Sequence, residues 1–176
     1  MKKKALFLDR DGIINSDKTY IFRFEDIEWV EGIFDLIACA NDRGFLVIVL
    51  TNQSGVAQGM YKESDVIELH KKMNSYLISK KARVDDWFYC TEYDSERRKP
   101  RPGMMIEAVI KFNIDLDKSF MIGDKESDIL EIDGPKTYLL QGKYPLENVL
   151  EKGSAQVFAS LFDILEKFKS ETASNL

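Results

Sequence analysis

Residues 5–15 read Ala-Leu-Phe-Leu-Asp-Arg-Asp-Gly-Ile-Ile-Asn, and the rest of the chain is best understood outward from them. Ala5 to Leu8 form an unbroken apolar run, which predicts a short strand buried on both faces of a sheet. The run stops at Asp9 and Asp11, and Gly12 permits a sharp change of backbone direction. Carboxylates at the end of such a strand form either a cation site or a loop of solvated acids, and the other motifs decide between these alternatives.

The composition is that of an ordinary globular protein. With 176 residues the chain can bury a full core, and we expect a single domain over residues 1–176. The apolar fraction of 44% and the charged fraction of 31% are both typical. A net charge of -5 gives no electrostatic case for nucleic acid or an anionic membrane as the main partner, so we expect neither.

The sequence also predicts a cytoplasmic location. Met1-Lys2-Lys3-Lys4 resembles the start of a signal peptide, but no long apolar stretch follows it. No window approaches the length of a membrane span. The two cysteines, Cys39 and Cys90, suit a reducing compartment. The oligomeric state is left open.

Apolar runs and helical periods alternate along the chain. Beyond residues 5–8, such runs predict strands over residues 45–50, 86–90, 119–122 and 137–140. Helical spacing predicts helices over residues 31–43, 63–81 and 157–168, and one of about ten residues after 102–103. Residues 15–30 lack a period and are expected to form a flap, and residues 170–176 a frayed tail. This alternation predicts an α/β fold, a three-layer Rossmann-like arrangement with a central parallel sheet.

Polar clusters follow the first, second and fourth predicted strands, and a basic loop follows the third. They are Asp9-Arg10-Asp11, Thr51-Asn52-Gln53-Ser54, Gly123-Asp124-Lys125-Glu126-Ser127-Asp128 and Arg97-Arg98-Lys99. The carboxyl ends of parallel strands share one edge of a sheet, so these clusters should converge. A basic run is usually a solvated turn, but its position at this edge favours a role in the same site.

The converging residues predict phosphoryl chemistry. Asp9, Asp11 and Asp124 would form an oxygen-rich pocket of the kind that suits Mg²⁺. Without a cation, three carboxylates brought together would repel strongly, so we expect Mg²⁺. Lys99 and Thr51 could contact phosphate oxygens and balance the charge that shifts during transfer.

The order of these motifs resembles that of the haloacid dehalogenase superfamily. Asp9-x-Asp11, Thr51, Lys99 and Gly-Asp124-x-x-x-Asp128 match its four motifs over roughly residues 4–140. Asp-Arg-Asp-Gly, Thr-Asn-Gln-Ser-Gly and Arg-Lys-Pro-x-Pro-Gly-Met are similar to the branch with histidinol-phosphate phosphatases and D-glycero-D-manno-heptose 1,7-bisphosphate phosphatases. The intervals between motifs leave room for the flap and a helix, so we expect no large cap domain.

The resemblance implies a role for each motif residue. Asp9 would be the nucleophile that forms an aspartyl-phosphate, and Asp11 the general acid and base. Asp9, the backbone carbonyl of Asp11, and Asp124 would hold Mg²⁺. Thr51 and Lys99 would steady the phosphoryl group, and Asp128 would orient Lys99 or the metal shell. Substrate contacts are expected from loop residues, which are Asp17, Lys18, Thr19, Tyr20, Asn52, Gln53, Ser54, Arg98 and Lys125.

One feature departs from this branch. Many of its members carry a zinc loop before the Arg-Lys-Pro segment, with a Cys-x-His pair and then a Cys-x-Cys pair. In residues 90–99 only Cys90 could match a ligand, and four nitrogen or sulfur ligands cannot be assembled from it. We therefore expect no structural zinc. His70, the only histidine, has no partner histidine and is expected to be structural or exposed.

The resemblance implies a Mg²⁺-dependent phosphatase acting on a small phosphorylated metabolite. A heptose 1,7-bisphosphate of surface-polysaccharide synthesis is the first expectation, and histidinol phosphate is the alternative. A nucleic-acid 3′-phosphatase uses similar motifs, but the acidic balance of the chain argues against it. A non-catalytic phosphate-binding module is the rival from another class. It would be expected to have lost Asp9, Asp11 or Asp124, and all three are present.

Overall fold

The strands form one parallel sheet whose centre is the first strand of the chain. The structure is a computed structural model that describes residues 1–152 and 155–173. In those residues the strands are β1 (Ala5–Leu8), β2 (Leu46–Asn52), β3 (Asp86–Cys90), β4 (Phe120–Gly123), β5 (Lys136–Leu140) and β6 (Gln156–Phe158). Their order across the sheet is β3-β2-β1-β4-β5-β6, and every neighbouring pair is parallel. The predicted α/β fold with a central parallel sheet is therefore confirmed.

Helices cover both faces of this sheet, as the alternation of side chains along β1 requires. The helices in the described residues are α1 (Ile33–Asp42), α2 (Glu63–Ser79), α3 (Gly103–Phe112), α4 (Glu147–Lys152) and α5 (Leu161–Thr172). Leu6 and Leu8 point into a core shared with α1, α2 and α5. Ala5 and Phe7 point into a second core shared with α3. Because successive strand side chains face opposite ways, a short apolar run with no polar break can fill both cores.

The last part of the chain differs from the prediction. The sequence predicts one helix over residues 157–168, but β6 occupies residues 156–158 and α5 begins only at Leu161. The physical reason is a helix cap: the Ser160 hydroxyl accepts a hydrogen bond from the backbone N–H of Asp163 at 3.1 Å. The prediction of a tail from residue 170 is also wrong for its first residues, because α5 continues to Thr172. Residues 174–176 lie outside the described residues, and α4 was not predicted.

The segment predicted as a flap is a loop whose two ends are clamped together. The backbone N–H of Ser16 donates to the carbonyl of Glu28 at 2.7 Å, and that of Val30 donates to Ile14 at 3.1 Å. Between these ends lies one short 3₁₀ turn, at Phe24–Asp26. Across residues 1–152 and 155–173, no helix is both long and apolar enough to cross a bilayer.

Candidate active site

The four polar clusters meet at the carboxyl edge of the sheet. β1 lies between β2 and β4, with Phe7 in register with both Ile48 and Met121. The ladder extends one residue past β1, because the N–H of Asp9 donates to the carbonyl of Ile122 at 2.9 Å. Adjacent parallel strands thus deliver the ends of β1 and β4 side by side, which places Asp9 next to the loop that carries Asp124.

Lys99 lies at the centre of this edge, between two carboxylates. Its Nζ is 2.9 Å from Asp9 Oδ1 and 2.6 Å from Asp128 Oδ1, and its side chain is only 2% exposed. The other oxygen of Asp128 accepts from the backbone N–H groups of Asp124 at 3.0 Å and Lys125 at 3.3 Å. Asp128 therefore fixes both the Lys99 ammonium and the turn after β4.

Asn52 ties the basic loop to the end of β2. Its side-chain Nδ2 donates to the carbonyl of Lys99 at 3.1 Å, and its Oδ1 accepts from the N–H of Lys99 at 3.1 Å. This paired contact explains how a lysine from a loop far along the chain is delivered to Asp9.

Asp9 and Asp124 are arranged to share a cation. Asp9, Asp124 and Asp128 each offer a carboxylate oxygen within 4.8 Å of the others. Asp124 Oδ1 is buried and accepts no hydrogen bond from any residue in the described ranges. Gly12 has φ +96°, and a Cβ there would lie 2.0 Å from Asp124 Oδ2. Only glycine lets the loop after β1 approach this carboxylate so closely. Gly12 therefore leaves room for the Asp124 carboxylate beside Asp9.

The pKa values of Asp9 and Asp124 show that the two carboxylates repel each other. Burial, together with the charge of Asp128, raises the pKa of Asp9 to about 6. Burial and the charge of Asp9 raise the pKa of Asp124 to about 8. Burial alone would lower the pKa of Lys125, but the Asp9 and Asp124 carboxylates raise it above its usual value. The two carboxylates resist being ionised together, so a bound divalent cation would relieve a real repulsion.

The Asp11 carboxylate lies apart from this group and is held by donors on two sides. Its Oδ1 accepts from Arg10 Nη2 at 2.9 Å and from Asn15 Nδ2 at 3.0 Å, and its Oδ2 accepts from Gln53 Nε2 at 3.0 Å. Burial would raise the pKa of Asp11, but the Arg10 charge and these hydrogen bonds lower it. The side chain is 20% exposed, so a ligand can still reach it.

Two neighbouring cavities occupy this edge. The inner pocket, of about 30 Å³, is lined by Asp9, Asp11, Asn52, Lys99, Lys125 and Ser127. The outer cleft, of about 200 Å³, is lined by Arg10, Asp11, Asp17, Thr19, Tyr20, Asn52, Gln53, Ser54, Tyr61, Lys125 and Tyr144. Asp11, Asn52 and Lys125 line both cavities, so they mark the junction between the two.

Seven of the nine predicted substrate residues line the outer cleft, and two do not. Lys18 is instead ion-paired with Glu28 on the flap. The Arg98 guanidinium lies 5.1 Å from the ring centre of Tyr93, on the loop after β3. Thr51 is not among the described residues that line either cavity. It is buried, and its Oγ1 accepts a hydrogen bond from Gln53 Nε2 at 2.8 Å.

Two tyrosines in the outer cleft were not predicted. The Tyr61 hydroxyl donates to Gln53 Oε1 at 2.8 Å, and the Tyr144 hydroxyl donates to Asp17 Oδ2 at 2.6 Å. Tyr144 also places its ring 4.6 Å from Lys125 Nζ. The hydrogen bond to Asp17 and partial burial raise the pKa of Tyr144 to about 12, so it stays a donor. The sequence did contain a signal for Tyr144. It lies in the loop after the fifth predicted strand, and that loop must begin at the same carboxyl edge of the sheet as the other four.

Comparisons with known proteins show which family the chain resembles. The family described as polynucleotide kinase 3 phosphatase matches residues 5–143. The D-glycero-alpha-D-manno-heptose-1,7-bisphosphate 7-phosphatase of Campylobacter jejuni is 43% identical over 130 residues, which are 73% of this chain and 76% of that protein. The D-glycero-beta-D-manno-heptose-1,7-bisphosphate 7-phosphatase of Pasteurella multocida is 32% identical over 179 residues, 95% and 97% of the two chains.

A solved structure extends the likeness to the whole fold. The D,D-heptose 1,7-bisphosphate phosphatase from B. bronchiseptica, complexed with magnesium and phosphate, superposes with a TM-score of 0.84 at 26% identity. The match covers 96% of this chain and 99% of that one. The two chains therefore match over almost their whole lengths.

Proposed function

Because the chain belongs to the haloacid dehalogenase superfamily of phosphatases, in the family described as polynucleotide kinase 3 phosphatase, we propose that it removes the 7-phosphate of D-glycero-D-manno-heptose 1,7-bisphosphate. Two lines support this substrate: the names of relatives at 32% to 43% identity, and the junction of the two cavities. Asp11 stands at that junction, where the bond between a transferred phosphoryl group and a bound alcohol would lie.

The metal site fits Mg²⁺, and the relative solved with magnesium and phosphate supports that identity. Asp9, Asp124 and the backbone carbonyl of Asp11 would hold the ion. The observation that carries this assignment is the buried Asp124 Oδ1, which accepts no hydrogen bond from the described residues and has Lys125 Nζ 3.7 Å away. When bound, Mg²⁺ would neutralise the carboxylates and polarise the phosphoryl oxygens.

In the first step, a carboxylate oxygen of Asp9 attacks the phosphorus atom of the bound monoester. The bond between phosphorus and the sugar oxygen breaks, and Asp11, which takes up a proton when the anionic phosphate group enters the site beside it, gives that proton to the sugar oxygen. Lys99 Nζ, 2.9 Å from Asp9 Oδ1, balances charge on the phosphoryl group throughout the transfer. The products of this step are the free alcohol and an aspartyl-phosphate on Asp9.

In the second step, water attacks the same phosphorus atom, and the Asp11 carboxylate takes the proton that the water loses. The bond between phosphorus and Asp9 breaks, which releases inorganic phosphate and restores both carboxyl groups to their starting states. One water is consumed and one ester bond is broken. Asp128 keeps its structural role in both steps, because its oxygens are already occupied by Lys99 and the turn after β4.

The lining of the outer cleft supports a polyhydroxylated leaving group. Hydroxyl, amide and carboxylate groups converge there from Asp17, Thr19, Gln53, Ser54 and Tyr144. Such groups form directional hydrogen bonds with sugar hydroxyls, and they discriminate strongly against analogues that lack them. A flat apolar substrate would form no hydrogen bonds with these groups.

The test is phosphate release in the presence of Mg²⁺, with both anomers of the heptose bisphosphate and three comparison substrates. The comparison substrates are histidinol phosphate, a 3′-phosphorylated oligonucleotide and an aryl phosphate. We expect selective turnover of the bisphosphate with the 1-phosphate retained in the product, which ³¹P NMR can identify. Preference for histidinol phosphate or for the oligonucleotide would overturn the substrate assignment. The single domain, the cytoplasmic location and the absence of zinc and of a nucleic-acid partner stay predictions.

A further inference from the structure

Arg10 is a charged side chain that the reaction described above leaves without a role. It is among the largest fully buried side chains described, with 1% of its surface exposed. A buried guanidinium is unfavourable unless its donors are paired. Arg10 Nε and Nη2 lie 3.2 and 2.9 Å from Asp11 Oδ1, and Nη2 also donates to the flap carbonyl of Ile21 at 3.0 Å. Two donors on one carboxylate fix its orientation as well as its position.

The remaining end of Arg10 is held by the only histidine. Arg10 Nη1 lies 3.3 Å from His70 Nε2, and the His70 ring stacks on Trp87 with centroids 4.7 Å apart. Arginine can only donate, so Nε2 must accept and the ring proton must lie on Nδ1. Burial and the neighbouring Arg10 charge lower the pKa of His70 well below its usual value, which agrees with a neutral imidazole.

These contacts form a chain that runs from α2 to the acid and base of the reaction. We propose that Arg10, held in place by His70, is the positioning residue that fixes the Asp11 carboxylate for proton transfer to and from the substrate. The inference rests on the proposed function, because it takes Asp11 as the general acid and base. Asp11 is 20% exposed and Arg10 only 1%, so Arg10 orients the carboxylate from the protein side and leaves it open to the outer cleft.

The contact with Ile21 gives the chain a second anchor. Ile21 follows Thr19 and Tyr20, two consecutive non-glycine residues with positive φ, at +63° and +55°. Such conformations cost free energy unless neighbouring contacts enforce them. The flap carbonyl that Arg10 holds is therefore next to a constrained turn in the cleft lining, and the Asp11 carboxylate and the flap share one buried donor.

A double-mutant cycle separates a positioning role from a structural one. Arg10→Gln should lower kcat by about 10²-fold with little change in KM, because a displaced catalytic group loses about that much. The same change in an Asp11→Asn background should cost nothing further, because the group that Arg10 positions has been removed. An equal fall in both backgrounds would overturn the proposal, as would an unchanged kcat in the single variant.

His70 provides a second pair of variants in case Arg10→Gln does not fold. His70→Gln can keep an acceptor for Arg10 and should retain kcat within about twofold. His70→Phe keeps a ring against Trp87 but offers no acceptor, and should lower kcat by about tenfold, the value of one hydrogen bond to a charged group. Equal activity of the two variants would contradict the role assigned to Nε2.

The substrate and control keep this test separate from the proposed function. All variants are assayed on the heptose bisphosphate and on 4-nitrophenyl phosphate, and the cycle is read on whichever the wild type turns over. No turnover of either would contradict the proposed function and this inference together, whereas normal wild-type turnover with an additive cycle would contradict this inference alone. Arg83→Gln is the matched control, since the exposed Arg83 side chain pairs through Nε with Asp85 Oδ1 at 3.2 Å and lines neither cavity.

Discussion

The inner pocket and the outer cleft differ in how they are built. The inner pocket uses side chains fixed at the ends of strands or by paired contacts, such as Asp9 and Lys99, which are almost completely buried. The outer cleft uses side chains from loops, such as Thr19, Tyr20 and Tyr144. Each of these three side chains forms a hydrogen bond with a residue of another loop. In the proposed reaction, the phosphoryl group reacts in the inner pocket and the leaving group binds in the outer cleft.

This difference assigns chemistry to one region and selectivity to the other. Charged groups held in fixed positions suit phosphoryl transfer, because they stabilise the charge on the phosphoryl group. The phosphoryl group is the same in every phosphate monoester, whatever its alcohol. Loop residues with hydroxyl and amide groups suit recognition of one particular alcohol. Changes in the inner pocket should therefore reduce turnover of all substrates equally, and changes in the outer cleft should reduce turnover of some substrates only.

Removing the nucleophile should have the largest effect. Asp9→Asn should lower kcat on the order of 10⁶-fold for every phosphate ester, as loss of a nucleophile does in other hydrolases. Steady-state assays on the heptose bisphosphate and an aryl phosphate measure this. Asp42→Asn, on the exposed end of α1, is the matched control and should behave as the wild type. Residual activity that depends on the substrate would contradict the division between the two regions.

Asp124→Asn should separate activity from stability. A chelator should abolish activity in the wild type, and the variant should be inactive even with Mg²⁺. Burial and Asp9 raise the pKa of Asp124 to about 8, so ionising it costs the folded state stability as pH rises from about 4 to 8. The metal-free variant should therefore melt higher than the metal-free wild type at pH 8, by about 2–4 °C for each kcal/mol relieved. A lower melting temperature would contradict this account of the charges.

A change in the outer cleft should be selective. Tyr144→Phe removes only the hydroxyl that donates to Asp17, a hydrogen bond to a charged group worth about tenfold in kcat/KM. We expect that loss for the heptose bisphosphate and less than a twofold change for an aryl phosphate. Tyr76→Phe is the control, because the Tyr76 ring stacks on Trp29 outside both cavities. A parallel fall on both substrates would show that Tyr144 belongs to the chemistry.

The smallest expected effect is that of His70 on the pH dependence of stability. Burial and Arg10 lower the pKa of His70, so on acidification the unfolded chain takes up the histidine proton before the folded protein does. Stability should therefore fall below about pH 6.5, by up to about 1.4 kcal/mol per pH unit from this group. Urea unfolding from pH 5 to 7.5 should show this slope in the wild type and a shallower one in His70→Phe. Identical slopes would place His70 in contact with water.

The inner pocket could be predicted because its signals are local. Each apolar run ends at the strand end, and parallel strands must bring those ends together. The sequence alone therefore predicts that Asp9, Lys99, Asp124 and Asp128 lie in one site. It could not show that the Asp11 carboxylate turns away from the others, because that depends on Arg10 and Gln53 as buried donors.

The outer cleft and the helical layer could be predicted only in part. Tyr144 stands in a loop with no polar cluster and meets Asp17 across 127 residues of sequence. His70 meets Arg10 across 60 residues, and its place on the inner face of α2 is readable only from its spacing to Val66 and Met73. Near the end of the chain, Val157 and Phe158 belong to β6 but stand just before the apolar residues of α5. The sequence therefore predicts one helix where the structure has a strand and a helix.

The central claim is that Asp9 carries the phosphoryl group through a covalent intermediate. Asp11→Asn should slow hydrolysis of that intermediate, because the base that activates water is removed. The variant is mixed with Mg²⁺ and 4-nitrophenyl phosphate, whose leaving group needs little acid assistance, and is quenched in acid for peptide mass spectrometry. The account predicts one phosphoryl group on the peptide that contains Asp9, and its loss on treatment with hydroxylamine. Release of 4-nitrophenol without any phosphoryl group on Asp9, or with the group on another residue, would contradict it.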